Sequence, residues 1–293
     1  MPELPEVEIV RRGLAPILTG RRIERAVTRR ADLRYPFPER FAERLQGQTI
    51  DRLDRRAKYL IASLSGGDAL VMHLGMTGRF SIIQGNVAEV PGSYIYETSS
   101  NPKHDHVVFQ LSSDARIVYN DPRRFGFMVL VPEQELTCHE LFKKMGVEPL
   151  GSGLTPDYLA ACAKSRKVNL KSFLMDQRHV AGLGNIYVSE ALHRAGLSPD
   201  RAARFLSDRQ GRPTARAQAL VPAIQSVLEQ ALAAGGSTLR DYRHADGQSG
   251  AFQESFAVYD RAGQPCVKPG CKGTIYQHVH SGRATYACSA CQK

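Results

Sequence analysis

The stretch Tyr59-Leu-Ile-Ala-Ser-Leu-Ser-Gly-Gly-Asp-Ala-Leu-Val-Met-His-Leu74 holds two apolar runs of strand length, split by a Ser-Gly-Gly-Asp turn. Val107-Val-Phe-Gln-Leu111 and Arg116-Ile-Val-Tyr119 repeat the pattern. From residue 21 to 131 short strands of this kind alternate with glycine-rich punctuation, which predicts an all-β sandwich. Parallel βαβ alternation is missing. Ahead of the strands, Val7, Val10, Leu14 and Leu18 recur at helical spacing with Arg11 and Arg12 on the other side. Pro5 opens that helix, and Gly13 and Gly20 bracket its end.

Past the strands the texture changes. Pro132, Gly146, Pro149, Gly151 and Gly153 mark a linker, after which helical segments open at Thr155, Val168, Asn185 and Thr214. Between the second and third lies a tight glycine hairpin, Gln177-Arg-His-Val-Ala-Gly-Leu-Gly-Asn185. Residues 235–257 have turn composition and read as a mobile loop. The expected organisation is multidomain α and β: a β-sandwich domain with flanking helices over 1–135, a linker over 136–150, a helical domain over 151–260 and a cysteine-rich segment over 261–293.

The chain of 293 residues carries a formal charge of +10 and a sequence pI near 9.4. A basic balance of this size fits a polyanionic partner, nucleic acid or an acidic membrane surface. No apolar stretch approaches the ~20 residues that span a bilayer, and the N-terminus has acidic residues in place of a signal core. A cytoplasmic protein is expected.

Four of the six cysteines crowd the tail as Cys266-x4-Cys271 and, after a sixteen-residue insert, Cys288-x2-Cys291. Two close thiolate pairs suit a closed tetrahedral zinc site; paired disulfides are disfavoured in a reducing cytoplasm. With every position filled by sulfur, such a metal is structural. It would hold a hairpin bearing His278, His280 and Arg283, the two histidines by default plain surface residues.

The chain starts Met1-Pro2-Glu3-Leu4-Pro5-Glu6. Removal of Met1 would leave Pro2 with a free secondary amine, and α-amino groups have pKa values of about 7.7–8.0. A neutral amine attacks a sugar aldehyde carbon to form an imine, and a secondary amine gives a permanently charged iminium. Glu3 is placed to pass protons, with Glu6 one turn on. A rigid leader capping a helix is the other reading of the same residues. Elsewhere, Gly182-Leu-Gly-Asn185 suits a phosphate at a helix start or a plain joint with Asn185 as N-cap. Asp121-Pro-Arg-Arg-Phe-Gly126 pairs guanidiniums with an aromatic ring, as a wedge into distorted DNA requires, or as a surface turn over a core phenylalanine would. Met76, in His73-Leu-Gly-Met-Thr-Gly78, is wedge or core filler.

Together these pieces resemble one family, the bacterial formamidopyrimidine-DNA glycosylases, along essentially the whole chain. The residues that carry the resemblance are PELPEVE at the start, RRAKYL around Lys58, HLGMTG around Met76, KHDHV around His104, DPRRFG, MDQRHVAGLGNIY, GGSTLRDY and the final CSACQ. One departure is visible: the first cysteine pair has four intervening residues where the family usually has two.

The resemblance implies a helix–two-turn–helix element in the glycine hairpin and a DNA glycosylase/AP lyase for oxidised purines (8-oxoguanine and formamidopyrimidines) in duplex DNA, nicking by β- and δ-elimination. It implies Pro2 as nucleophile at the sugar C1′, Glu3 as acid/base with Glu6 beside it, and Lys58 on the phosphate next to the lesion. Asn185 and Arg283 would clamp the same backbone, with Arg283 also the proton donor for δ-elimination, and Lys171 would lie near the damaged nucleotide. Met76, Arg123 and Phe125 would fill the gap left by the everted base, an exchange that costs a few kcal/mol of unstacking. His73 and His104 would contact backbone, and Ser237, Thr238, Arg240 and Tyr242 would belong to a lesion-recognition loop. One structural zinc and no redox cofactor or catalytic metal, a monomer, and a bacterial nucleoid-associated location complete the expectation. The alternatives are an endonuclease VIII-like enzyme for oxidised pyrimidines and a non-catalytic zinc-finger DNA-binding protein.

Overall fold

A computed structural model describes residues 1–85, 87–91, 101–237 and 252–293. Thr238, Arg240 and Tyr242 of the expected lesion loop lie outside the described residues. By its internal contacts the chain divides into two units. The first is Met1–Lys143 with the segment that begins at Ala234, and the second is Lys144–Ala233 with Phe252–Lys293.

In the first unit, helix α1 (Leu4–Leu18) precedes β1 (Ile23–Thr28), a short α2 (Phe41–Leu45), and strands β2 (Ile50–Arg56), β3 (Tyr59–Leu64), β4 (Asp68–His73), β5 (Arg79–Gln84), β6 (Val87–Glu89), β7 (Asp105–Leu111), β8 (Arg116–Asn120) and β9 (Phe127–Pro132). Every pairing is antiparallel, in one sheet ordered β1-β7-β8-β5-β6 and another ordered β2-β3-β4-β9. The expected sandwich is therefore two sheets. They share one core with α1, whose Val7, Val10, Leu14 and Leu18 join Leu53, Leu60, Leu70, Met72, Phe80, Phe109 and Ile117. Burial of each such side chain contributes roughly 1.5–3 kcal/mol.

Helix α1 is also pinned electrostatically. Glu8 receives Arg11 at 2.8 Å, Arg12 at 3.0 Å and Arg55 of β2 at 3.1 Å. Burial alone would raise the Glu8 carboxyl, but the Arg11 and Arg12 hydrogen bonds hold it down to about 2.

The second unit contains α3 (Pro156–Ala163), α4 (Leu170–Met175), α5 (Asn185–Arg194), α6 (Ala215–Ala233) and the hairpin β10 (Ile275–His280) and β11 (Arg283–Cys288). Thr155 and Asn169 cap α3 and α4 by accepting the amides of Tyr158 and Ser172. Helix α5 is its hub, buried from Ile186 through His193. A helix buried all round needs neighbours on every side, and α4, α6 and β11 supply them. The one acid in the helix, Glu190, accepts the amides of Ala257, Val258 and Tyr259 at 2.8–3.0 Å, tying the chain on its way to the cysteines. Burial still pushes its pKa up.

Candidate active site and nucleic-acid interface

Glu3 and Glu6 cap α1 reciprocally. The Glu3 side chain accepts from the Glu6 amide, and Glu3 N donates to Glu6 Oε2 at 2.9 Å. The other Glu6 oxygen accepts both the amide and the hydroxyl of Ser237, each at 2.9 Å. Gly236 packs closely there: a Cβ on it would meet Ile9 and Glu6, and its φ of +87° is one that glycine adopts freely. Pro2, Glu3 and Glu6 are all buried. The amino nitrogen of Met1 is held below its ordinary 8.0, first by burial and further by the Lys58 and Arg123 cations, against the opposing pull of Glu3 and Glu6. Glu3, Glu6, Lys58 and Arg123 thus surround the amino end of the chain in the first unit. Glu6, with both oxygens engaged, positions its neighbours.

Lys58 occupies the two-residue turn between β2 and β3, where Arg56 pairs with Tyr59. Ala57 takes the left-handed conformation there, φ +51°, and accepts from Arg55 Nη1 at 3.0 Å. Lys58 is 6% exposed, far from the solvated lysine a surface hairpin would carry. His73 ends β4, stacked on Phe127 at 5.3 Å, with Nδ1 accepting the Gly75 amide at 3.0 Å. Burial, reinforced by Lys58 and Arg34, pushes it down to about 4, so the ring is neutral.

Met76, Arg123 and Phe125 sit on two loops that glycines bring into close approach. A Cβ on Gly75 would collide with the backbone of Phe125 and Gly126, and one on Gly126 with the Tyr119 hydroxyl. Asp121, fully buried, locks the pair. Its Oδ2 accepts Gly126 N at 2.8 Å and Tyr119 Oη at 3.2 Å, and its Oδ1 accepts Thr77 Oγ1. Its own main chain is held by His104 O at 3.0 Å and His106 Nε2 at 2.9 Å. The loops present a half-buried Met76 beside an exposed Phe125, with the Arg123 guanidinium 4.7 Å over that ring. Asp121, Tyr119 and His106 were not singled out in the sequence; the acid heading DPRRFG was the available signal.

In the second unit the glycine hairpin is clamped by Gln177, whose Nε2 donates to Met175 O and Leu183 O while its Oε1 accepts Gly182 N at 2.8 Å. Gly184 takes the N-cap place of α5 and Asn185 the first helical position, so Asn185 is not the cap. Its side chain instead donates from Nδ2 to Ala284 O at 3.0 Å. Lys171, 1% exposed, sends Nζ to the same oxygen at 2.5 Å and to Thr285 Oγ1 at 2.7 Å. The structure therefore brings Asn185 and Lys171 to one carbonyl at the start of β11, next in sequence to the exposed Arg283. Lys171 makes a joint there, buried within its own unit. The β10–β11 turn, Ser281-Gly282, has positive φ at both residues, +48° and +74°, as a two-residue hairpin requires.

The four cysteine sulfurs all lie within 4.8 Å of one another, with Cys266–Cys291 at 3.8 Å and Cys271–Cys288 at 3.6 Å. Thiolates about 2.3 Å from a tetrahedral zinc stand roughly 3.8 Å apart, so the spacing fits. The surroundings suit thiolates too. The amides of Lys268, Gly273 and Ala290 point at the sulfurs of Cys266, Cys271 and Cys288 at 3.4–3.5 Å. Burial and neighbouring sulfurs push the Cys266 and Cys291 thiols up, whereas at Cys288 the amides of Cys291 and Ala290 offset burial and help hold the thiol down to about 7. His193, at the end of α5, lies 3.3 Å from Cys266 Sγ. The four-residue gap between Cys266 and Cys271 leaves the cluster closed.

A sandwich with a buried amine end, a clamped helix–hairpin–helix and a four-cysteine hairpin define a two-unit DNA-processing architecture, and the comparisons agree. Residues 1–128 match the formamidopyrimidine-DNA glycosylase N-terminal domain, and residues 145–243 match the formamidopyrimidine-DNA glycosylase H2TH domain. The chain belongs to the formamidopyrimidine-DNA glycosylase family. It is 56% identical over 294 residues to the formamidopyrimidine-DNA glycosylase of Methylobacterium radiotolerans, covering 100% of this chain and 99% of the relative. Among solved structures, the MutM (Fpg) protein from Thermus thermophilus superposes with a TM-score of 0.80 at 37% identity, covering 99% of this chain and 98% of that one. A Lactococcus lactis Fpg variant bound to Fapy-dG-containing DNA gives 0.84 at 30% identity over 100% of both chains.

Proposed function

We propose that this chain is a bifunctional DNA glycosylase/AP lyase that excises oxidised purines from double-stranded DNA in base-excision repair. It works as a monomer in the cytoplasm, at the nucleoid. The observation that carries the reading is the buried start of the chain, where Pro2 and Glu3 are buried and the amino end at Met1 feels Glu3, Glu6, Lys58 and Arg123. Burial, with the two cations, lowers the pKa of an amine at this end, which favours its neutral form, and a neutral amine is the nucleophile.

With Met1 removed, the Pro2 nitrogen attacks C1′, the C1′–base bond breaks, and the proton shed by that nitrogen is taken up by the departing base. Glu3 delivers a proton to the ring oxygen as the sugar opens, leaving an iminium. That cation acidifies the C2′ proton; its loss breaks the C3′–O bond, and a second elimination breaks the C5′–O bond. Lys58 holds the phosphate beside the lesion, and Asn185 and Arg283 grip backbone, with Arg283 giving the proton for the second elimination. Met76, Arg123 and Phe125 take the vacated place in the stack. Lys171 acts near the damaged nucleotide through the joint it makes with β11, while His73 and His104 border the backbone track. The segment from Ser237 through Thr238, Arg240 and Tyr242 selects the oxidised base. Cys266, Cys271, Cys288 and Cys291 hold one structural zinc ion, which braces the hairpin carrying Arg283.

Borohydride trapping tests the assignment. The protein lacking Met1 should form a stable adduct with lesion-bearing duplex that maps to the N-terminal peptide, and Pro2→Gly should lose most lyase activity. Equal trapping by protein that retains Met1, whose Pro2 nitrogen is an amide, would falsify it. Parallel duplexes with an oxidised pyrimidine separate the endonuclease VIII-like alternative.

A further inference from the structure

On the face of β10 away from the cysteines, three donor atoms meet. His278 Nε2 lies 2.8 Å from Asp200 Oδ1, His280 Nε2 lies 2.9 Å from the same oxygen, and the two Nε2 atoms are 3.3 Å apart. Asp200 comes from the turn between α5 and α6, so two distant segments of the second unit supply the set. Hydrogen bonds account for part of this. Each imidazole can donate to Asp200, but both then share one oxygen, and two N–H donors face each other. A cation in place of those two protons makes all three contacts favourable. Ligands about 2.0–2.2 Å from a metal at right-angle to tetrahedral placement stand roughly 2.8–3.6 Å apart.

The surroundings favour the ligating tautomer of His280. Its Nδ1 lies 3.3 Å from Thr285 Oγ1, which already accepts from Lys171 Nζ and has a second lone pair for an Nδ1–H. That leaves Nε2 free to ligate, the outer-shell arrangement common in metal-bound histidine. His278 is the weaker ligand, because its Nδ1 is buried with no partner among the described residues. Tyr276 Oη donates to Asp200 Oδ2 at 3.2 Å and fixes the carboxylate. Asp200 is exposed and both histidines are partly so, leaving coordination positions open to solvent.

We propose that Asp200, His278 and His280 form a second metal site for a divalent transition cation that favours imidazole, of the zinc, nickel or cobalt class. It is separate from the four-cysteine cluster and rests on no part of the catalytic reading. Since His280 pairs with Arg283 across the hairpin, a bound cation would add positive charge next to that arginine.

Equilibrium dialysis of the full chain against Zn²⁺ tests it. The wild type should take up about two equivalents, one held by the sulfurs and a second, weaker one. Asp200→Asn and His280→Gln should each retain the first and lose the second. Added Co²⁺ should give the wild type a weak visible ligand-field band that lacks thiolate charge transfer, and Asp200→Asn should lack it. Asp200 is a surface residue, so that variant remains informative if His280→Gln folds poorly. One equivalent in the wild type, or the same second equivalent in wild type and Asp200→Asn, overturns the site.

Discussion

Replacing Asp121 with alanine removes the carboxylate that joins the Met76 loop to the Arg123–Phe125 loop. Three donors lose their acceptor: Thr77 Oγ1, Tyr119 Oη and the Gly126 amide. Thr77 is half-exposed and finds water, but Tyr119 and Gly126 are buried. Each buried donor left unpaired costs about 1–3 kcal/mol, so the loops should be destabilised by ~2–6 kcal/mol. Asp121→Asn keeps one oxygen for Gly126 and Tyr119 and turns an amide toward Thr77, whose hydroxyl can reverse its role; its cost should be near ~1 kcal/mol. Native-state hydrogen exchange at the Gly126 amide reads this directly. Protection should fall roughly thirty-fold to 25,000-fold in Asp121→Ala and about five-fold in Asp121→Asn. The alanine variant should also lose excision of an oxidised base more than cleavage at a ready-made abasic site, which has no base to evert. A Gly126 amide exchanging at the wild-type rate in Asp121→Ala would refute the account of what holds these loops.

Other expectations follow from the same geometry. Lys58→Ala and Arg283→Ala should each weaken binding to every duplex and reduce the salt slope of log K by roughly one unit; a lesion-selective loss with unchanged slope would remove them from the phosphate clamp. Freshly purified, reduced protein should carry tightly held zinc that Cys288→Ser releases, with DNA binding weakened and the sandwich still folded; metal analysis and circular dichroism of the variant check both halves. His73 titrates near 4 in the folded chain against an ordinary 6.5, so the unfolded chain binds its proton first. Its contribution is complete above pH 6.5 and is lost as the pH falls toward 4. His73→Gln should flatten urea midpoints between about pH 6.5 and 4.5, above the range where Glu8, at about 2 against 4.5, makes its own loss. An unchanged pH slope would mean that His73 is not the group responsible.

Local patterns were legible before any coordinates. Tyr59–Leu64 and Arg116–Tyr119 read as strands because branched apolar residues and glycine turns are nearest-neighbour signals, and they are β3 and the greater part of β8. Helix α2 was missed because five residues are too few to show a 3.6-residue period. Gly184 and Asn185 are both competent caps, so sequence could not decide which one leaves the other's side chain free to cross to Ala284. Contacts between distant positions were least visible. Nothing near Glu6 announces Ser237, 231 residues away, and nothing near His278 announces Asp200, 78 residues away. His278 and His280 therefore read as ordinary surface residues until the fold brought the carboxylate to them.

The Ala284 carbonyl receives both Asn185 and Lys171, and it belongs to the main chain. Every amino acid at position 284 would present the same oxygen, so side-chain substitution there cannot delete the acceptor on which α4, α5 and the β10–β11 hairpin converge. Mutational drift can reach this junction only through its donors, which predicts an asymmetry: position 284 tolerant wherever volume allows, positions 171 and 185 intolerant. Atom-level chemistry is the way to weaken the shared oxygen itself. An ester in place of the peptide between Ala284 and Thr285, made by semisynthesis, would leave every side chain in place and lower the basicity of that one carbonyl.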